Sequence, residues 1–168
     1  ITTRLELNTL EAKGISEAEI WLSYAKPKDI LTETFIKNLH KKMFGEIWKW
    51  AGKFRTTERN IGVVPYNIQP ELKMLLDDTK TWIEFETYPP NEIAIRFHHR
   101  LVKIHPFPNG NGRLSRIMAD LIMKSFDLKP FDWGKSNLSE ISKTRKEYIL
   151  ALQLADNGDY SALLKFIQ

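Results

Sequence analysis

Residues 105–116 read HPFPNGNGRLSR, a run unlike the rest of this 168-residue chain. Its two prolines fix φ at positions 106 and 108 and bias the residues before them away from a helix, so we expect His105 where one helix ends. Gly110 and Gly112 allow tight turns and a close approach of the backbone to a ligand. Because apolar residues recur at helical spacing on both sides, the run predicts two helices joined by a glycine-rich loop.

The second of these helices predicts an anion site. A helix that begins near Asn111 or Gly112 directs its unpaired N–H groups and positive dipole end at the loop. Arg113 and Arg116 project from one side of it, and guanidinium groups bind phosphate oxygens while staying charged. His105 titrates near neutral pH and is placed to act as a general base. Each feature alone is typical of an ordinary connection, but in this order they predict a phosphate-binding loop beside a base.

Helical periodicity extends along most of the chain and predicts an all-α domain. The exception is residues 53–69, where β-branched residues around an Asn-Ile-Gly turn predict one small β-hairpin. The predicted helices are 32–50 (with Thr32 or Asp29 as N-cap), a helix opened by Pro70, 91–104, 113–126 and two short ones near the end of the chain.

Composition restricts the classes of function. Apolar residues make up 42% and charged residues 27%, as in globular domains, and no apolar run approaches the ~20 residues of a membrane span. The absence of cysteine excludes a disulfide scaffold, a thiolate zinc site and a cysteine nucleophile. A net charge of +4 permits an anionic ligand without favouring nucleic acid. We expect His98 and His99 to be structural and His40 to face solvent.

The run at 105–116 resembles the Fic-domain signature, His-x-Phe-x-(Asp/Glu)-Gly-Asn-Gly-Arg-x-x-Arg, and departs from it at Asn109. FGEIWKWAGKFR (44–55) resembles the segment leading into the Fic flap, and FHHRLVKI (97–104) the helix entering the motif. The resemblance covers roughly residues 35–165. Within the Fic/Doc family, the segment 57–63 is most similar to the type called mobile mystery protein B. The resemblance implies one Fic-type helical bundle over 1–168, with an N-terminal helical extension (1–31) and a β-hairpin flap (56–66).

The resemblance also implies an activity, protein adenylylation, in which AMP passes from ATP to a hydroxyl of a target protein. His105 then matches the base, Phe107 anchors the loop in the core, and the flap Thr56–Tyr66 clamps the target by strand pairing. The residues that match the phosphate cradle and the triphosphate ligands are Gly110, Asn111, Gly112, Arg113 and Arg116. Asn109 stands where the family has a Mg²⁺-binding carboxylate, so we expect weakened Mg²⁺ binding.

Regulation and origin follow from the same resemblance. It implies a bacterial, cytoplasmic, toxin-like protein with a small antitoxin-like partner. Thr2 and Glu6 have the spacing of the family's inhibitory helix, but Leu7 follows where Gly or Asn belongs, so an upstream helix, a partner or no restraint all stay open. The alternatives are a Fic/Doc-type phosphotransferase or other nucleotidyl transferase, a weakly active nucleotide-binding module, and a basic DNA-binding helical domain.

Overall fold

The computed structural model describes residues 3–133 and 143–167, of which about two thirds lie in helices. Within these ranges no strand is present, and the prediction of an all-α fold is confirmed. None of the helices in this part of the chain is both long and apolar enough to cross a membrane. The elements are α1 (Arg4–Ala25), α2 (Glu33–Phe44), a 3₁₀ turn (Pro65–Asn67), α3 (Ile68–Glu84), α4 (Pro90–Ile104), α5 (Asn111–Ser125), α6 (Lys143–Asp156) and α7 (Ser161–Phe166).

Helices α4 and α5 form the centre of the bundle. They pack against each other, α3 covers α4, and α1 pairs with α2 at the side. Phe97 of α4 and Met118 of α5 are fully buried between them. Phe107, in the loop that joins the two helices, is also fully buried, so its predicted role as an anchor is confirmed. The loop between α4 and α5 is therefore fastened from inside the core.

The predicted helix over 32–50 is too long. Thr32 does cap α2, because its hydroxyl accepts a hydrogen bond from the Phe35 N–H at 3.0 Å. The helix then ends at Phe44, and Gly45, a poor helix former, occupies the C-cap. Beyond it Trp48 and Trp50 stack on each other with ring centroids 4.6 Å apart. These apolar residues fit the helical period, but they pack as a stacked pair in a turn.

The expectation that His40 faces solvent is wrong. Its side chain is fully buried and stacks on the Phe107 ring, with centroids 3.8 Å apart. The Nδ1 atom accepts a hydrogen bond from the Gly52 N–H at 3.0 Å, so Nε2 carries the proton and donates to the Asn109 carbonyl at 2.9 Å. His40 thus joins α2 to two loops. Its neighbours in sequence are lysines on a helix, so the sequence gives no indication of this role.

The predicted β-hairpin over 56–66, which we call the flap segment, is wrong as secondary structure. Arg55, just before the segment, and Val63, within it, both pair with the chain around the end of α4: the Arg55 N–H donates to the Pro106 carbonyl at 2.9 Å and the Val63 N–H to the Ile104 carbonyl at 3.3 Å. The Arg55 guanidinium also donates hydrogen bonds to the carbonyls of Thr57 and Val63. A hairpin ladder would need those same backbone groups.

Three buried titratable groups lie around the central helices. Burial lowers the pKa of His40 to about 4 and that of His98, on α4, to about 3. Burial raises the pKa of Asp120, on α5, to about 6, although this carboxylate accepts hydrogen bonds from the Phe131 N–H and the Trp133 indole. Both histidines are therefore neutral in the folded chain at pH 7.

We expect these groups to make the fold less stable in mild acid. Both histidines gain a proton below pH 6.5 when the chain is unfolded but not while it is folded, so their contribution is present above pH 6.5 and lost as the pH falls towards their folded pKa values. Asp120 acts in the opposite direction below pH 6, because its folded pKa is raised. Together the three groups should lower the free energy of unfolding by about 2 kcal/mol from pH 7 to pH 5. Urea titrations at both values test this, and an equal or higher stability at pH 5 would contradict it.

Candidate active site

The predicted site residues lie together at one open cleft of about 1580 Å³. The end of α4, the loop after it and the start of α5 form its floor, while the N-terminal part of α1 and one face of α6 form its walls. Residues that the sequence singled out and that line this cleft are His105, Asn109, Gly110, Asn111, Gly112, Arg113 and Arg116. These seven residues of the 105–116 run thus share one cleft.

His105 is the C-cap of α4, and its own backbone is left-handed, with φ 53° and ψ 61°. Its N–H still donates to the Leu101 carbonyl at 3.1 Å, so the side chain leaves the helix at a fixed point. Burial lowers the pKa of the half-buried imidazole, and the positive charges of Arg55 and Arg59 lower it further. A histidine neutral at pH 7 can accept a proton, which is what a general base requires.

The start of α5 forms the anion-binding part of the cleft. Gly110 precedes the helix with φ 81°, and a Cβ atom there would collide with the Phe44 ring, so only glycine fits. The first helical hydrogen bond runs from the Leu114 N–H to the Gly110 carbonyl at 3.0 Å. The N–H groups of residues 111–113 precede that bond and are available to an anion, with the helix dipole in support.

The side chain of Asn111 closes the loop between α4 and α5. It is buried, accepts a hydrogen bond from the Phe107 N–H at 2.9 Å, and donates to the Phe107 carbonyl at 2.8 Å. Both of its polar groups are therefore used to close the loop on itself. Asn111 can meet a phosphate through its backbone N–H, whereas its amide fixes the shape of the cradle.

Asn109 also faces its own loop. Its Oδ1 atom accepts the Gly110 N–H at 2.7 Å, and its carbonyl accepts the His40 hydrogen bond. In the described part of the chain, no group of three or more His, Cys, Asp or Glu side chains could hold a metal ion. One neutral amide oxygen, already hydrogen-bonded, does not make a resident Mg²⁺ site.

Arg113 is held by a carboxylate that the sequence analysis missed. Glu11 of α1 forms an ion pair with the Arg113 guanidinium, which also lies 5.0 Å from the centroid of the Phe44 ring. Both side chains are largely buried, with 25% of Arg113 and 14% of Glu11 exposed. Of the inhibitory pattern considered above, Thr2 lies outside the described residues, and the Glu6 carboxylate accepts the Thr3 N–H in the N-terminal capping box of α1. The contact of α1 with Arg113 instead involves Glu11.

Arg116 lies deeper and is held by a tyrosine. Its guanidinium lies over the ring of Tyr148 in α6, with Cζ 5.8 Å from the ring centroid, and the Tyr148 hydroxyl lies 2.7 Å from Nε2 of His98. Tyr148 is buried, as expected for a core residue, but it also lines the cleft. His99 is held by Asp156 at 2.8 Å and by Tyr160 at 3.0 Å. Both histidines thus bond to other side chains of the fold, as the predicted structural roles require, and His99 also lines the cleft.

Comparisons with known proteins show which family the chain is similar to. The sequence profile of the Fic/DOC family matches residues 30–123. Protein adenylyltransferase fic-1 of Caenorhabditis elegans is 30% identical over 151 residues, which cover 85% of this chain and 28% of that protein. The structure of Fic-1 (aa134–508) from C. elegans matches with a TM-score of 0.73 and 27% identity, over 92% of this chain and 46% of that one.

A Bartonella quintana Bep effector protein, whose N-terminal Fic domain was solved with bound ADP, has the same fold. Its TM-score is 0.77 at 18% identity, over 99% of this chain and 85% of that one. The chain spans less than a third of the nematode adenylyltransferase, so the comparison concerns one part of that protein. The family profile covers more than half of the chain, including the 105–116 loop. The chain belongs to the Fic/DOC family.

Proposed function

We propose that the chain is a protein adenylyltransferase that moves AMP from ATP to a hydroxyl side chain of a target protein. The observation that carries this proposal is the position of His105 in one cleft with the start of α5, Arg113 and Arg116. This arrangement combines a neutral base with a site for several negative charges. The names of the relatives support it, since they are called protein adenylyltransferases, and a Bartonella relative was solved with ADP.

The phosphates of ATP would lie on the start of α5. The N–H groups of residues 111–113 point towards developing negative charge, which they stabilise without reorganising. Arg113 and Arg116 bind the outer phosphates, because guanidinium groups keep their charge and pair with two oxygens at once. The Tyr148 ring lies beside the Arg116 guanidinium and supports it there. Arg113 has to leave Glu11 before it can do the same.

The chemical step is a displacement at the α-phosphorus. His105 takes the proton from the target hydroxyl, whose oxygen then forms a bond to the α-phosphorus. The bond from that phosphorus to the oxygen bridging the α- and β-phosphates breaks, and pyrophosphate leaves with the bonding electrons. The proton stays on the imidazole and passes to solvent. General base catalysis of this kind contributes roughly 10²- to 10⁴-fold.

The target approaches His105 along the flap segment. Ile61 and Gly62 line the same cleft as His105, and the Ile61 side chain is 61% exposed. An extended stretch of target chain could pair with the backbone here and bring its hydroxyl to the imidazole. Backbone pairing orients a target without selecting its sequence, so recognition of one protein requires further contacts.

Magnesium enters this account as part of the Mg–ATP substrate, because the described residues contain no group of three or more His, Cys, Asp or Glu side chains that could hold the ion. We expect Asn109→Asp to lower the Mg²⁺ concentration that gives half-maximal activity, because a carboxylate adds a charged ligand to an ion otherwise held by phosphates and water. Titrating Mg²⁺ at fixed ATP tests this, with Asn91→Asp on α4 as the control. The same half-maximal concentration in wild type and Asn109→Asp would remove Asn109 from the metal site.

Label transfer separates AMP transfer from phosphate transfer. The chain is incubated with Mg²⁺, a cell lysate and ATP labelled at either the α- or the γ-phosphate. Protein labelled from the α position alone supports the proposal, and label from the γ position would assign a phosphotransferase instead. Binding of ATP without transfer of either label would assign a nucleotide-binding module. Bacterial origin, cytoplasmic location and an antitoxin-like partner stay predictions.

A further inference from the structure

Arg55, immediately before the flap segment, is a buried cation surrounded by backbone carbonyls. Only 3% of the residue is exposed. Its Nε atom donates to the His105 carbonyl at 2.6 Å, and Nη1 donates to the Thr57 carbonyl at 3.0 Å. Its Nη2 atom donates to the Ile104 carbonyl at 3.2 Å and also to the Val63 carbonyl. One guanidinium therefore holds two carbonyls at the end of α4 and two in the flap segment.

Backbone hydrogen bonds near this guanidinium join the same two segments. The Arg55 N–H donates to the Pro106 carbonyl and the Val63 N–H to the Ile104 carbonyl, so the flap segment and the residue before it are both joined to the chain around the end of α4. Gly62, with φ 94°, lies against the joint. A Cβ atom there would come within 2.6 Å of Arg55 Nη2 and 2.7 Å of the His105 Cβ. Arg55, Gly62 and His105 are thus packed together without spare room.

The turn that they hold is an uncommon one. His105 has a side chain yet adopts left-handed φ and ψ, a conformation that favours glycine and persists where the surroundings fix it. The direction of the imidazole depends on the peptide planes on both sides of its Cα atom. Arg55 binds the carbonyls of both planes, those of Ile104 and His105.

We infer that Arg55 is a positioning residue, which fixes the left-handed turn at His105 and couples the imidazole to the flap segment along which the target would lie. This inference rests on the proposed role of His105 as the base. Lysine cannot replace the guanidinium here, because a single ammonium group cannot present donors over the same span in a rigid planar fork.

Kinetics of Arg55→Lys test the inference. We expect kcat to fall roughly 10- to 100-fold with KM for ATP unchanged, because a small displacement of the base slows the chemical step while the phosphate site stays intact. The matched control is Arg100→Lys, which alters an arginine that pairs with Asp78 of α3 at 2.7 Å, and it should keep the wild-type kcat. If Arg55→Lys does not fold, Gly62→Ala disturbs the same joint and should lower kcat likewise.

Nuclear magnetic resonance gives a readout that does not need activity. In Arg55→Lys the Cα resonance of His105 should leave its wild-type position, because the left-handed turn is released. In Arg55→Met the pKa of His105 should rise, since one of the two arginines that lower it is lost. The other charged or titratable groups around the cleft are kept: Arg59, Glu11, Arg4, His99, Lys103, Arg113, Arg116, Arg145 and Asp156.

The two readouts separate the inference from the proposed function. If the wild-type chain transfers nothing but the His105 resonance moves in Arg55→Lys, the proposed function fails and the positioning role stands. An unchanged His105 resonance together with a wild-type kcat in Arg55→Lys would overturn the inference.

Discussion

His105→Ala should slow transfer by orders of magnitude while leaving ATP bound. The imidazole is the only group in our mechanism that takes the proton of the target hydroxyl, so its loss should slow transfer roughly 10²- to 10⁴-fold. The phosphate site is made by the backbone of α5 and by two arginines, none of which depends on the imidazole. Single-turnover transfer rates and ATP titrations by calorimetry, both on the purified variant, measure the two effects separately.

The pH profile provides a second check on the same residue. Burial and two arginines lower the pKa of His105, so its neutral form already dominates at pH 7. The wild-type rate should therefore rise with pH below 6.5 and be level around pH 7. His105→Gln, a second variant that keeps a polar side chain, should lose this acid limb. A variant with wild-type rate would show that His105 is not the base.

Glu11→Gln should tighten ATP binding. In the wild-type chain Arg113 has to give up a largely buried carboxylate before it can bind a phosphate. Hydrogen bonds to charged groups contribute about 1.5–3 kcal/mol each, so neutralising the carboxylate should lower the Kd for ATP by roughly 10- to 100-fold. Calorimetric titration with ATP measures this, and the transfer rate at low ATP should increase in parallel.

Two controls show whether this effect passes through Arg113. Glu17→Gln changes the same residue type on the same helix, where the glutamate pairs with Lys13 at 3.7 Å and is 46% exposed, and should not alter ATP binding. In Arg113→Ala the further change Glu11→Gln should no longer matter, because the competition is gone. Equal or weaker ATP binding in Glu11→Gln alone would mean that Glu11 does not restrain the site.

The conformational preferences of proline and glycine were enough to predict where α4 ends and α5 begins. The prolines at 106 and 108 and the two glycines limit the backbone so strongly that the ends of α4 and α5 could be placed within about two residues. The burial of Phe107, in contrast, was expected from the resemblance to the Fic signature. These features depend on residues close together in sequence, and they carry most of the candidate site.

Contacts between distant segments could not be predicted in this way. Glu11 and Arg113 are 102 positions apart, and nothing near Glu11 distinguishes it from the other acidic residues of α1. The flap segment has the composition of a hairpin, but the Arg55 guanidinium donates hydrogen bonds to carbonyls that the strands of a hairpin would need for pairing. The sequence around His40 is typical of a surface residue, but in the structure its ring is stacked on Phe107. In each case tertiary contacts override a local preference.

The identity of the leaving group tests the central claim most directly. The wild-type chain is incubated with lysate and Mg–ATP. The modified protein is analysed by mass spectrometry, and the released phosphates by phosphorus nuclear magnetic resonance. Our account predicts an AMP adduct on a serine, threonine or tyrosine hydroxyl and one pyrophosphate released for each adduct. A phosphate adduct with ADP released would contradict it, because the start of α5 would then direct the γ-phosphate to the attacking hydroxyl and not the α-phosphate.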